Sequence, residues 1–319
     1  MLFRFTQALF YCCLLPVLAL AQVPGHGGKS KEMGPTTERS LRAWAANDVF
    51  ILPVRTDQYY TAGAGFEYSN IRRERSEIQS ITHRRSWLVE QATFTPRDIL
   101  STDLLPNDRP FASYLTVDRG QSTTNSPGSV STDHPGELTT DWGLTAGVLG
   151  KYSGGGKLQT VFHNMVDFAD ELPGWSNEVK PDLILNARYG LDKDWSVHPR
   201  YALRTYAKAR AGTLFTDLTT GVGADFLVGS VTNLRHVKLG VRGDVRAVGW
   251  NATLSGGLLN RDERFRGVVR PARLVGAWSF LATARWGRVG LEASVVQLTR
   301  EFRGGKNHAY GVIGARWYW

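Results

Sequence analysis

The sequence predicts an all-β protein, a transmembrane antiparallel β-barrel of about twelve strands with a short helix in an extracellular loop, and three observations predict it. The first is composition. The 319 residues include 34 Gly, 10 Trp and 11 Tyr, with apolar residues at 42%, yet the mean hydropathy is −0.25. A polar lumen, an apolar lipid face, aromatic girdles and many tight turns account for all of these together. The second is period-2 alternation, clearest from Val237 to Ala247, where the odd positions are apolar or Gly and the even ones include Lys238, Arg242, Asp244 and Arg246. The third is the terminal stretch His308 to Trp319. It puts Gly311, Ile313, Ala315, Trp317 and Trp319 on one face and stops on an aromatic residue. A soluble sheet ending this way would expose a sticky edge, whereas a barrel pairs its last strand with its first.

Residues 1–21 read as a secretory signal peptide. Arg4 precedes an apolar run ending at Leu20, and Ala19-Leu20-Ala21 matches the small-residue cleavage pattern. Both cysteines, Cys12 and Cys13, fall inside it, so the exported chain is expected to lack disulfides, thiol nucleophiles and Cys-bound metals. Residues 22–40 read as a flexible leader and 41–319 as the barrel. The net charge of +9 would suit nucleic acid or an anionic lipid surface. In an exported barrel the expected partner is the bacterial outer membrane and its lipopolysaccharide, with no nucleic acid.

Strands are expected near 41–52, 59–70, 84–94, 109–119, 138–149, 181–192, 197–208, 219–229, 236–249, 272–284, 287–299 and 308–319. With both termini periplasmic, the connections after odd strands face outside, and most of the long ones do. One long Ser/Thr-rich stretch, 120–137, falls on the periplasmic side. The third outer connection carries Leu158, Val161, Phe162, Met165, Val166 and Phe168 at helical spacing before Pro173. This amphipathic helix bears His163, with Asp167 one turn on and Asp170 beyond it. It reads either as a plug with an acidic face or as the carrier of a carboxylate-supported general base.

Other polar clusters map to the same rim. Asn47-Asp48 lies in an otherwise apolar first strand, where a buried carboxylate is costly unless paired or metal-bound. Asp57 to Gly63 opens the second strand and Asn107-Asp108-Arg109-Pro110 the fourth. No serine elbow, zinc-binding helix motif or phosphate loop competes with these clusters.

In this order the clusters resemble the lipid A 3'-O-deacylase family of outer-membrane barrels. The matching stretches are Ala46-Asn47-Asp48, Tyr60 to Gly63, Asn107 to Phe111, Gln159 to His163 with Pro173-Gly174-Trp175 and Asn177-Glu178, and Thr299 to Phe302. The resemblance implies calcium-dependent removal of an ester-linked acyl chain from lipid A. It makes His163 the general base, with Asn47, Asp48 and Thr61 as the rest of the catalytic core. Asp170 is the carboxylate nearest the position after the catalytic His, so Asp48 and Asp170 are the candidate calcium ligands. Arg97 and Arg109 are candidates for binding the substrate's phosphates. The chemistry is coherent on its own terms. With no cysteine or serine elbow, water is the simplest nucleophile, and a hard cation among oxygen donors would polarise the ester. A passive channel and an outer-membrane phospholipase are the competing expectations.

Overall fold

The computed structural model is a closed barrel of twelve antiparallel strands. It describes residues 34–51, 59–76, 78–127, 136–159, 173–198, 200–232, 235–265 and 268–319. The strands are β1 (Thr36–Asn47), β2 (Tyr59–Arg75), β3 (Gln79–Thr95), β4 (Ala112–Pro127), β5 (Leu138–Leu149) and β6 (Asp182–His198). They continue as β7 (Tyr201–Gly212), β8 (Phe215–Thr232), β9 (Arg235–Asn251), β10 (Leu274–Trp286), β11 (Val289–Leu298) and β12 (His308–Tyr318). Each strand pairs with its neighbours in sequence. β12 closes the barrel on β1, with Leu41 opposite Trp317 and Asn47 opposite Gly311, so no edge is left open.

Several expected boundaries move, and those of β1 and β4 move for local reasons. β1 starts at Thr36, inside the expected leader, and stops at Asn47. There the Asn47 side chain accepts from Val49 N at 2.7 Å and caps a single 3-10 turn, Asp48–Phe50. Asp48 therefore follows the strand and does not lie in it. β4 runs on to Pro127, so the first part of the supposed 120–137 loop is paired strand. Its polar side chains bond across the ladder, Thr124 to Thr139 at 2.8 Å and His83 to Thr123 at 3.1 Å.

The two faces follow the alternation in the sequence. Outward side chains such as Phe66, Val89, Leu144, Leu185, Val222 and Phe280 stay exposed for lipid. Trp87, Trp142, Trp195, Trp278 and Trp317 are among the exposed aromatics that suit the membrane interfaces. Inward side chains are charged and paired. Arg42 meets Glu292 at 2.5 Å, Arg316 meets Glu67 at 3.0 Å and Arg188 meets Asp118 at 3.0 Å. Arg204 reaches Asp192, Asp194 and Asp225, and Arg242 shares Asp225. At the outer mouth the lumen turns apolar, with Phe94, Tyr114, Leu149, Ile184, Leu214 and Phe265 packed together under Tyr60 and Phe215.

Candidate active site

A run of polar residues sits on the wrong face for a simple barrel. On β3, Trp87 and Val89 are exposed to the outside, so period 2 puts Gln91, Thr93 and Thr95 on the same outer wall. On β4, Leu115 and Val117 do the same for Ser113. Thr93, Thr95 and Ser113 are nonetheless buried, the last two completely. The connection after β5 covers Thr93 and Ser113.

That connection is fastened side chain by side chain. It leaves β5 through a 3-10 turn, Gly150–Ser153, and becomes helical at residues 155–159. Gln91 Nε2 donates to the Ser153 carbonyl at 2.8 Å, and the Ser113 and Ser153 hydroxyls lie 2.6 Å apart. Gly155 N donates to Ser153 Oγ at 3.4 Å. A Cβ on Gly155 would strike Ser113 and come within 2.8 Å of Thr93 Cγ2, so glycine lets the helix start flat against the wall. The returning chain forms a second turn, Pro173–Asn177. Its Trp175 donates to Gln159 Oε1 at 3.1 Å and packs on Phe111 with ring centroids 5.0 Å apart. Just after it, the Glu178 carboxylate accepts from Ser113 Oγ. Burial pushes the Glu178 carboxyl up to about 7, against the hydrogen bonds from Ser113 and the charge of Lys151.

Thr61 reaches the same wall through an irregularity. The β2–β3 register shifts between Tyr60 and Ala62, leaving Thr61 as the extra residue of a bulge. Tyr60 turns into the lumen against Phe94, and Ala62 faces out opposite Thr93. Thr61 Oγ1 meets Thr95 Oγ1 at 2.7 Å. Next to the bulge Tyr59 holds φ at +78°, a conformation an aromatic residue adopts only when its surroundings enforce it. The Phe302 and His308 rings at 5.1 and 5.2 Å supply that enforcement. Asn47, at the top of β1, is register partner to Ala62, so it stands one residue from Thr61 along the rim. Asp48 follows it and is 1% exposed.

The structure thus brings Asn47 and Thr61 to one corner of the outer wall, with buried Asp48 in the turn just after Asn47, and docks the start of the loop helix on the two strands beyond them. His163, Asp167 and Asp170 lie outside the described residues. The two arginines expected at the phosphates diverge. Arg97 is exposed on the outer rim. Arg109 is directed inward with its side chain 0% exposed, Nη2 donating to Thr253 Oγ1 at 3.0 Å and Nη1 lying 3.6 Å from Glu301. Its guanidinium also covers the Phe94 ring at 4.3 Å. Burial pulls it down to about 10, against the pull of Glu301 and Asp108, so it stays cationic at neutral pH. Sequence reasoning did not single out Ser113, Ser153 or the Thr93–Thr95 pair. The available signal was parity, since these are polar residues at lipid-facing positions.

Nearly the whole sequence matches one described family. A family model for "Outer membrane protein LpxR" matches residues 9–319. Among solved structures, "LpxR from Salmonella typhimurium" superposes with a TM-score of 0.68 at 19% identity, covering 87% of this chain and 99% of that one. The β domain of the Bordetella autotransporter BrkA gives a TM-score of 0.47 at 9% identity, covering 89% of this chain and 99% of that one. No curated protein matches the sequence.

Proposed function

The chain belongs to the outer membrane protein LpxR family and is an outer-membrane β-barrel; from that premise we propose that it is a lipid A deacylase, hydrolysing the 3'-O-linked acyloxyacyl ester in the outer leaflet. One observation carries the reading. Asn47, Thr61, Thr95 and Ser113 form a polar, largely buried strip on the lipid side of the wall, with the helical start at 155–159 docked against Ser113. An amphiphile lying in the leaflet meets that strip sideways, with its acyl chains still among lipids. The lumen speaks against a channel, because its charges are paired across the interior and its mouth is filled by apolar side chains.

The resemblance implies calcium, and the donor set fits it. Asp48, the Asn47 side-chain carbonyl and backbone carbonyls are hard oxygen ligands, and among the described residues no group of His, Cys, Asp and Glu gathers to hold a metal on its own. Asp170 is the proposed second carboxylate. When bound there, calcium would polarise the ester carbonyl. The protein's own part is proton transfer and positioning. An imidazole nitrogen of His163 takes a proton from water, and the hydroxide oxygen bonds to the ester carbon. The bond from that carbon to the sugar oxygen breaks, and His163 returns the proton to the sugar. The products are a carboxylic acid and a free hydroxyl. Thr61, held by Thr95, and Asn47 orient the water and the developing oxyanion.

Mass spectrometry of lipid A from cells with and without the protein tests this. Loss of one acyloxyacyl unit from lipid A supports it. Unchanged lipid A with altered solute uptake would favour a channel, and acyl loss from phospholipids alone would favour a phospholipase.

A further inference from the structure

Beside the candidate site the outer rim gathers exposed cations that form no ion pair among the described residues. The connections after β9 and β11 run together there. Pro271 bridges Phe302, Ala272 N donates to the Glu301 carbonyl at 2.8 Å, and Arg303 N donates to the Arg270 carbonyl at 2.8 Å. Arg270 and Arg303 are thus neighbours, and both are exposed. After Arg303 the chain turns at Gly304, with φ at +88° and an added Cβ only 2.8 Å from the Asn107 carbonyl, and delivers Lys306. Lys306 N donates to the Tyr59 hydroxyl at 3.0 Å. Arg97 closes the group, its guanidinium donating to the Gly304 carbonyl at 3.3 Å.

Four exposed cations therefore share one stretch of the rim, which Lys306 N ties to Tyr59, two residues from Thr61 along β2. Among the described residues no ion pair involves Arg97, Arg270, Arg303 or Lys306. The Asp108 carboxylate accepts from Arg97 N and Arg109 N and acts on the Arg97 charge without forming an ion pair, and Asp98 accepts from Leu100 N. This contrasts with the lumen, where Arg42, Arg84, Arg188, Arg204, Arg242, Arg285 and Arg316 each face a carboxylate. Like charges held together without partners repel, and a polyanion relieves that repulsion.

We propose that Arg97, Arg270, Arg303 and Lys306 form a phosphate-binding subsite for the sugar monophosphate on the carbon next to the scissile ester. The proposal rests on the deacylase reading. On the distal glucosamine of lipid A the 3'-ester and the 4'-phosphate occupy adjacent ring carbons. A phosphate held by this group and an ester held at Thr61 are therefore demanded of one ring. Forked guanidinia at Arg97, Arg270 and Arg303 suit a phosphate dianion, and Lys306 adds a point charge.

The experiment compares three substrates lacking core sugars: bisphosphorylated lipid A, the 4'-dephosphorylated form and the 1-dephosphorylated form. The wild-type protein is set against the double variant Arg303→Ser, Lys306→Ser. Removing the 4'-phosphate should cost the wild type about tenfold in kcat/KM, through KM, as loss of a charge-assisted contact does. The double variant should show that loss on intact lipid A and no further loss without the 4'-phosphate. Equal loss on all three substrates, or a loss tracking the 1-phosphate, overturns the proposal. A parallel arm measures binding to phosphatidylcholine vesicles carrying each lipid A form. There the 4'-phosphate should strengthen binding of the wild type and not of the double variant. Binding indifferent to the 4'-phosphate refutes the subsite even if no hydrolysis occurs, whereas absent hydrolysis with 4'-dependent binding refutes only the deacylase reading.

Discussion

Arg109 Nη1 stands 3.6 Å from Glu301 Oε2 inside the outer mouth of the barrel. The contact joins the connection after β3 to the one after β11, and Arg109 reaches Thr253 after β9 as well. Burial alone would raise the Glu301 carboxyl, but His308, Arg109 and Arg246 together hold it low. Three outer connections thus hang on one buried charge cluster directly behind the candidate site. Glu301→Ala would leave the Arg109 guanidinium buried without its counter-charge, a loss of roughly 3–5 kcal/mol. The expected outcome is a clear drop in the temperature at which the folded barrel changes mobility on a gel. An unchanged transition would mean the cluster holds nothing.

Gly155 sets how closely the loop helix approaches the wall. In Gly155→Ala the new methyl meets Ser113 and Thr93, neither of which can retreat because both belong to the barrel. The helix start should lift. The expected outcome is faster tryptic cleavage after exposed Lys157 and at least a tenfold fall in hydrolysis, since small misplacements of a catalytic group carry that scale of effect. The barrel's heat-dependent mobility should not change. Wild-type protection of Lys157 in the variant would show that the close approach is unimportant.

Glu178 gives the same loop a pH dependence. Its carboxyl lies at about 7 with the loop docked, raised from a reference of 4.5. A raised carboxyl means that docking favours the protonated form. The stabilisation is complete below about 4.5 and declines as pH rises, until nothing more is lost above about 7. Cleavage after Lys157 should therefore be faster at pH 8 than at pH 6 in the wild type. Glu178→Gln, which mimics the neutral form, serves as reference for trypsin's own pH response and should show a smaller change. Identical pH responses in the two proteins would remove Glu178 from the docking equilibrium.

The proposed chemistry separates two residues by their response to calcium. His163→Ala should lose roughly 10²–10⁴ in rate, the usual contribution of a general base, and no calcium concentration should restore it. Asp48→Ala should be comparably inactive but partly rescued by excess calcium. In the wild type a calcium chelator should abolish activity reversibly. Full activity after exhaustive chelation would take the metal out of the mechanism, and near wild-type hydrolysis by a folded His163→Ala variant would return the helix to a plug.

The barrel was legible because lipid and lumen impose opposite chemistry on alternate residues. Val237 to Ala247 shows it, with Lys238 and Arg242 facing Asp225 inside and Val241 and Val245 exposed outside. β5 falls at its expected limits, 138–149. The far end of β4 was hidden because Ser and Thr at the periplasmic end of a strand have the composition of a loop. Asn47 and Thr61 were legible as a corner of the rim, but the outward turn of the Thr61 side chain was not. It depends on a one-residue bulge that reverses the parity of β2 at Thr61, and the alternating pattern does not announce it. Ser113 and Thr93 were invisible for a related reason. A polar residue at a lipid-facing position makes sense only once the covering connection is known. The inward turn of Arg109 likewise depends on Glu301, a partner supplied by tertiary structure alone.

The outward position of Thr61 also fixes the dimensionality of the reaction. On the proposed reading, a substrate that reaches the strip between β1 and β4 arrives by lateral diffusion, and the shortened lipid leaves by the same route. The relevant concentration is then the mole fraction of lipid A in the surface around the barrel. Adding inert detergent or phospholipid at constant bulk lipid A should slow turnover by surface dilution, whereas adding buffer should not. The headgroup neighbours of each barrel, and not the number of molecules in the medium, set how often an ester meets the site.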